Sequence, residues 1–149
     1  MTEERWFETS SLGRYRYRLT RAVFFNIPAH PGGRLEIRSW NPARQLLATL
    51  SVDGVLAILP GYAWDGATSA PDIRKLQRAV VLHDLCCQCC EAEHWHLSRL
   101  TCDRLFLREA RKEAPILAPL YYAGIRIGGN FHRWANPPEL EQTVRIQVV

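Results

Sequence analysis

Three carboxylates and one imidazole stand in an order that could do chemistry: Asp65 in a loop, then His83 followed directly by Asp84, then Asp103. On a helix, His83 and Asp84 point about 100° apart, so they serve different sites or two sides of one. A carboxylate behind an imidazole fixes its tautomer and raises its basicity, which a general base acting on water needs. Asp103 can take that place if its own helix packs antiparallel to the helix of His83. Asp84, facing the loop, could join Asp65 and backbone carbonyls in holding a hard cation such as calcium. Such a cation would polarise a carbonyl or phosphoryl group. The plainer reading makes Asp84 a surface charge and His83 a hydrogen-bonded core residue.

All five cysteines fall in the same region, at Cys86, Cys87, Cys89, Cys90 and Cys102. An odd number, packed mostly into one helix, is a poor disulfide framework and fits reduced thiols. Zinc is a second cation to weigh, with ligands drawn from Cys86, Cys89, Cys90, His94, His96 and Cys102. A Cys-x-x-Cys wholly inside a helix is not the usual zinc geometry, and small core residues are the plainer account.

These residues need a loop and two helices to position them. Residues 61–71 are crowded with glycine, small polar residues and proline. Beyond Pro71, Ile73, Leu76, Val80, His83, Cys87 and Cys90 recur at helical spacing, which predicts a helix over 75–90. Residues 97–112 form a second helix with Ser98 as its cap. A third helix is expected over 116–127, with Pro115 in its first turn or Pro119 at its true start, and with Gly128-Gly129 ending it.

Before residue 61 the pattern is different. Residues 14–19 and 35–40 alternate polar with apolar, as half-buried strands do. Residues 22–27 form a continuous apolar run that suits a more buried strand. Strands at 46–52 and 55–59 flank Asp53-Gly54, a two-residue hairpin signal. A last strand at 143–149 returns to the sheet or pairs with another chain. The expected class is α+β: an antiparallel sheet of about five short strands, then about three helices, then a C-terminal strand. One domain over 1–149 is expected, sheet-rich at 14–60, with the motif loop and helices at 61–129 and a tail at 130–149.

Composition bounds the partners. The chain has 149 residues, 47% of them hydrophobic and 23% charged, which are globular values. No run is long and apolar enough to span a bilayer, and the charged start lacks the core of a signal peptide. The net charge of +4 is mild and does not call for nucleic acid. An Arg14-Arg16-Arg18 stripe that reads phosphates is a weaker idea than a solvated strand face. Tyr62, Trp64, Trp95 and Trp134 could line a groove or simply pack, and Tyr121-Tyr122 could bring phenols toward His83.

The motifs Gly61-Tyr62-Ala63-Trp64-Asp65-Gly66-Ala67-Thr68, His83-Asp84, Asp103-Arg104-Leu105-Phe106 and the segment from Tyr121 to Gly128 resemble a phage and prophage family of unknown function. Its pattern is a glycine-aromatic-x-x-Asp-Gly-Ala-Ser loop, a His-Asp helix, an Ala-Asp-x-x-Phe helix and a Tyr-x-x-x-Arg-x-x-Gly segment. The likeness covers residues 55–129. Thr68 replaces the serine, Cys102 the alanine, and Leu85-Cys86-Cys87 stands where an aromatic usually follows His-Asp. More distantly, His83-Asp84-Leu85-Cys86 with Cys102-Asp103-Arg104 is similar to the two-helix core of phospholipase A2. That likeness implies His83 as the base for water, Asp103 as its support and Asp84 on calcium. The calcium loop and disulfides of that family are not matched.

Two readings follow. One is a cation-assisted hydrolase acting on phospholipid or another envelope polymer, with His83 and Asp103 catalytic and Asp84 and Asp65 on the metal. The other is a non-catalytic, tail-associated or assembly component that binds other virion proteins or itself, with the same residues as a structural network. Both place synthesis in a bacterial host cytoplasm, with association to the virion as a further expectation.

Overall fold

The computed structural model describes residues 6–9, 17–40, 43–64, 71, 73–135 and 144–149, the last seven residues of the 73–135 stretch by backbone only. The strands are β1 (Phe7–Thr9), β2 (Tyr17–Leu19), β3 (Val23–Asn26), β4 (Leu35–Ser39), β5 (Leu46–Leu50), β6 (Val55–Ile58), β7 (Ala63–Trp64) and β8 (Val144–Val148). The helices are α1 (Gln77–Cys89), α2 (Arg99–Glu113) and α3 (Ala118–Ala135), and a 3-10 turn at Arg74–Leu76 leads into α1. The class is α+β, with strands before helices and a final strand.

Five strands form the main antiparallel sheet in the order β3-β6-β5-β4-β8. Its inner face alternates along each strand, so Leu35 and Ile37, Ala48 and Leu50, and Leu56 and Ile58 are all fully buried. The run at 22–27 is not buried on both faces: Val23, Phe25 and Ile27 point inward while Phe24 is 56% exposed. β3 pairs only through β6 and lies at the sheet edge, which leaves its outer face to solvent. A smaller sheet, β1-β2-β7, stacks Trp6, Phe7 and Tyr17 around the wholly buried Trp64.

The β5–β6 turn is one residue longer than the Asp53-Gly54 pair predicts. The amide of Gly54 donates to the Ser51 carbonyl, that of Ser51 to the Val55 carbonyl, and Gly54 has φ +84°. Neither Val52 nor Asp53 has positive φ, so the tight mirror-image turn is excluded and Gly54 takes the left-handed position of a three-residue loop.

α1 is buried around most of its circumference, including Gln77, Val81, Leu82, Leu85, Cys86 and Cys89. Its N-terminal Gln77 accepts from the Trp64 indole at 3.0 Å, and Arg78 covers the Phe25 ring and donates to the Phe24 carbonyl. The helix is therefore held against both sheets. Ser98 caps α2 as expected, accepting from the Thr101 amide at 3.1 Å. α3 takes the second of its two expected starts and departs from expectation only at its far end. Pro119 sits in its first turn, where its missing N–H costs nothing. Gly128 and Gly129 do not stop it, because the backbone stays helical to Ala135. Glycine is permissive in a helix, and about 1 kcal/mol per residue does not outweigh continued backbone hydrogen bonding. β8 returns to the sheet beside β4, with Val144 and Ile146 buried. No described helix is long and apolar enough to cross a membrane.

Candidate active site

The spacing of contacts along α1 and α2 fixes their relative direction. Cys90, at the end of α1, meets Cys102 near the start of α2, whereas His83, two turns earlier, meets Asp103 and Phe106. Such reversed order is that of antiparallel helices. The turn at Ala114–Leu117 then folds α3 back onto α2, which brings Arg126 to the same aspartate.

The centre of the cluster is Asp103, 1% exposed. His83 Nε2 lies 2.6 Å from its Oδ1, and Arg99 Nε donates to the same oxygen at 3.3 Å. Arg126 donates to Oδ2 at 2.6 Å. Burial alone would favour protonated Asp103, but the hydrogen bonds from His83 and Arg126, with the nearby charge on Arg99, outweigh it and hold the carboxyl below its ordinary value. Burial also opposes the charge on Arg99; its acidic neighbours reverse that effect and keep it ionised. An ionised Asp103 makes Nε2 of His83 the protonated nitrogen of the neutral ring, donating to Oδ1. The other nitrogen, Nδ1, has no hydrogen-bond partner among the described residues. The Phe106 ring packs edge-on against the imidazole.

Cys87 joins the cluster, its Sγ 3.4 Å from His83 Nε2. Thiol and carboxylate thus approach the same ring nitrogen, whereas a cysteine–histidine nucleophile needs them on opposite nitrogens. Burial also pushes the Cys87 thiol well up, against the opposing pull of Arg99. Cys87 is therefore a packed thiol in this arrangement.

Of the expected site residues, His83 and Asp103 are brought together. Asp65 lies outside the described residues. Asp84 is half-buried and, among the described residues, shares no group of three side chains that could hold a metal. The one such group is His83, Cys87 and Asp103, whose ligand atoms lie within 4.8 Å of one another. Its nitrogen, sulfur and oxygen donors suit zinc better than calcium. An ion there would compete with the Arg126 guanidinium, which already pairs with the carboxylate. The six residues weighed for zinc form no candidate group among the described residues: His96 instead lies against the Pro28 carbonyl, its ring edge-on to that of His30. Because Pro28 offers only a carbonyl, His96 Nε2 is the donor there. Cys90 and Cys102 approach to 3.7 Å as free thiols, and a hydrogen bond to Cys86, with burial, takes Cys102 up to about 12.

Sequence reasoning assigned no role to Arg99, Arg126 or Cys87. Arg99 stands four residues before Asp103, a helical ion-pair spacing that was there to be read. Arg126 belongs to the motif segment but becomes a site residue only once α3 packs on α2. The aromatic groove does not form from Tyr62 and Trp64, which are 2% and 0% exposed. Tyr121 donates to the Pro71 carbonyl rather than reaching His83. Arg18 pairs with Glu8, while Arg14, Arg16 and the Trp134 side chain lie outside the described residues.

Comparison with protein-family models, with curated proteins and with solved structures finds no match for this chain. The functional reading therefore rests on the cluster itself.

Proposed function

We propose that this chain is a hydrolase in which His83 is the general base for water and Asp103 orients it. The observation that carries the reading is the 2.6 Å contact from Asp103 to Nε2, which leaves Nδ1 as the basic nitrogen. Water held at Nδ1 gives up a proton as its oxygen attacks an ester carbonyl. Asp103 stabilises the imidazolium, which returns that proton to the alcohol oxygen as the ester C–O bond breaks, releasing acid and alcohol. Arg99 and Arg126 keep Asp103 ionised, so it does not take the proton itself. The resemblance to the phospholipase A2 helix pair and to phage proteins supports lipid or other envelope esters as the substrate class. Calcium on Asp84 belongs to that likeness, and Asp65 joins it by residue type alone. Among the described residues Asp84 shares no group that could hold a metal.

The test is fatty-acid release from mixed phospholipid vesicles, with calcium and with chelator, by wild type and His83→Ala. Release that disappears in the folded variant is expected. Release unchanged in the variant would falsify the role of His83, and chelator sensitivity decides the cation.

A second reading has its own observation: Asp103 takes bonds from α1, α2 and α3 at once, as a structural rivet would. On that reading the protein is a non-catalytic virion or assembly component. Absence of release, together with a stable oligomer by solution mass, would favour it.

A further inference from the structure

α3 is apolar on its exposed side as well as where Ala118 and Ile125 pack on the core. Its inward residues include Tyr121, which reaches the Pro71 carbonyl, and Arg126, which reaches Asp103. Its exposed residues between Ala118 and Gly128 are Pro119, Leu120, Ala123, Gly124, Ile127 and Gly128, none of them polar. Leu120 is 68% and Ile127 77% exposed, and Ile116, just before the helix, is 90% exposed. Scattered exposed apolar residues need no explanation; a helix face made of nothing else does.

We infer that this face is a docking surface for an anionic lipid bilayer, on which α3 lies in the plane of the headgroups. Charge favours that occupant. The eighteen residues of α3 include no Asp or Glu, and the exposed last residues of α2, Arg111, Lys112 and Glu113, carry a net positive charge. The whole chain carries +4. An apolar face on a helix whose sequence holds Arg126 and Arg133 and no acidic residue, in a chain of net positive charge, matches a negatively charged lipid surface. A second copy of the chain would set like charges against each other. Size argues the same way. The described face, from Ala118 to Gly128, is roughly 16 by 10 Å, far below the ~800 Å² per partner of a stable dimer. α3 is not apolar enough to cross the bilayer, so it lies on it.

The inference stands whether or not His83 is catalytic, because docking is read without turnover. Flotation of the full chain would be measured with vesicles of phosphatidylcholine alone and of phosphatidylcholine mixed with phosphatidylglycerol, at low and high salt. The variants are Leu120→Glu with Ile127→Glu, and Val52→Glu as a control at an exposed apolar residue of the β5–β6 loop. Expected is binding to the anionic vesicles that weakens with salt, falls at least about tenfold in the double variant and persists in the control. Three results would overturn it: no binding by the folded chain, equal binding by the double variant, or a concentration-dependent dimer that the double variant abolishes.

Discussion

At the scale of single residues, Asp103 decides the character of the site. A buried carboxylate shared by one imidazole and two guanidiniums is held in its ionised form, and it fixes Nε2 of His83 as the nitrogen that faces it. It also ties stability to pH. A group whose pKa is lowered by folding contributes stability above its ordinary value of 3.8, and that contribution is lost as pH falls from there through the lowered value. Asp103→Asn is expected to lose about 2 kcal/mol at neutral pH. That is less than the usual cost of breaking a buried pair, because Arg99 and Arg126 reach solvent and can rehydrate. Urea midpoints of wild type and variant should stay apart down to about pH 4 and converge below it. A gap unchanged at pH 2 would contradict the ionised rivet. The pairing of His83 with Asp103 was legible from residue type and helical spacing. Cys87 and Arg126 were not, because their contribution comes from where neighbouring helices cross.

At the scale of elements, the two kinds of glycine behave oppositely. Gly54 sits at φ +84°, and a Cβ there would meet the Ile27 carbonyl oxygen at 2.4 Å. Gly54→Ala is expected to cost about 1–3 kcal/mol. Gly128 is helical, and a Cβ there meets nothing within 4 Å. Gly128→Ala should gain about 0.5–1 kcal/mol by restricting the unfolded chain. Thermal unfolding of the two variants checks both signs; equal shifts would refute the distinction. Strand alternation, the Ser98 cap and the helical runs could be read locally, since each depends on neighbours a few residues away. The end of α3 could not: a glycine pair terminates a helix only when the backbone turns left-handed, and here it does not.

At the scale of the molecule, β8 closes the sheet. It pairs with β4 along its whole length, from Leu35 opposite Val148 to Ser39 opposite Val144. A chain ending at Thr143 loses Val144 and Ile146 from the core, worth about 1.5–3 kcal/mol each, and leaves β4 as an open edge. It should melt lower and aggregate, as seen by thermal unfolding and size-exclusion chromatography; a monomer with unchanged melting would be the contrary result. The amino-acid order by itself determined the class, the strands-then-helices layout and the presence of a histidine and aspartate on successive helices, because periodicity and capping act over short distances. Tertiary structure alone decided that β8 joins β4, that three helices meet at Asp103 and that Leu120 and Ile127 of α3 stay exposed. Those outcomes depend on which surfaces bury each other, and no local pattern encodes the partner of a surface.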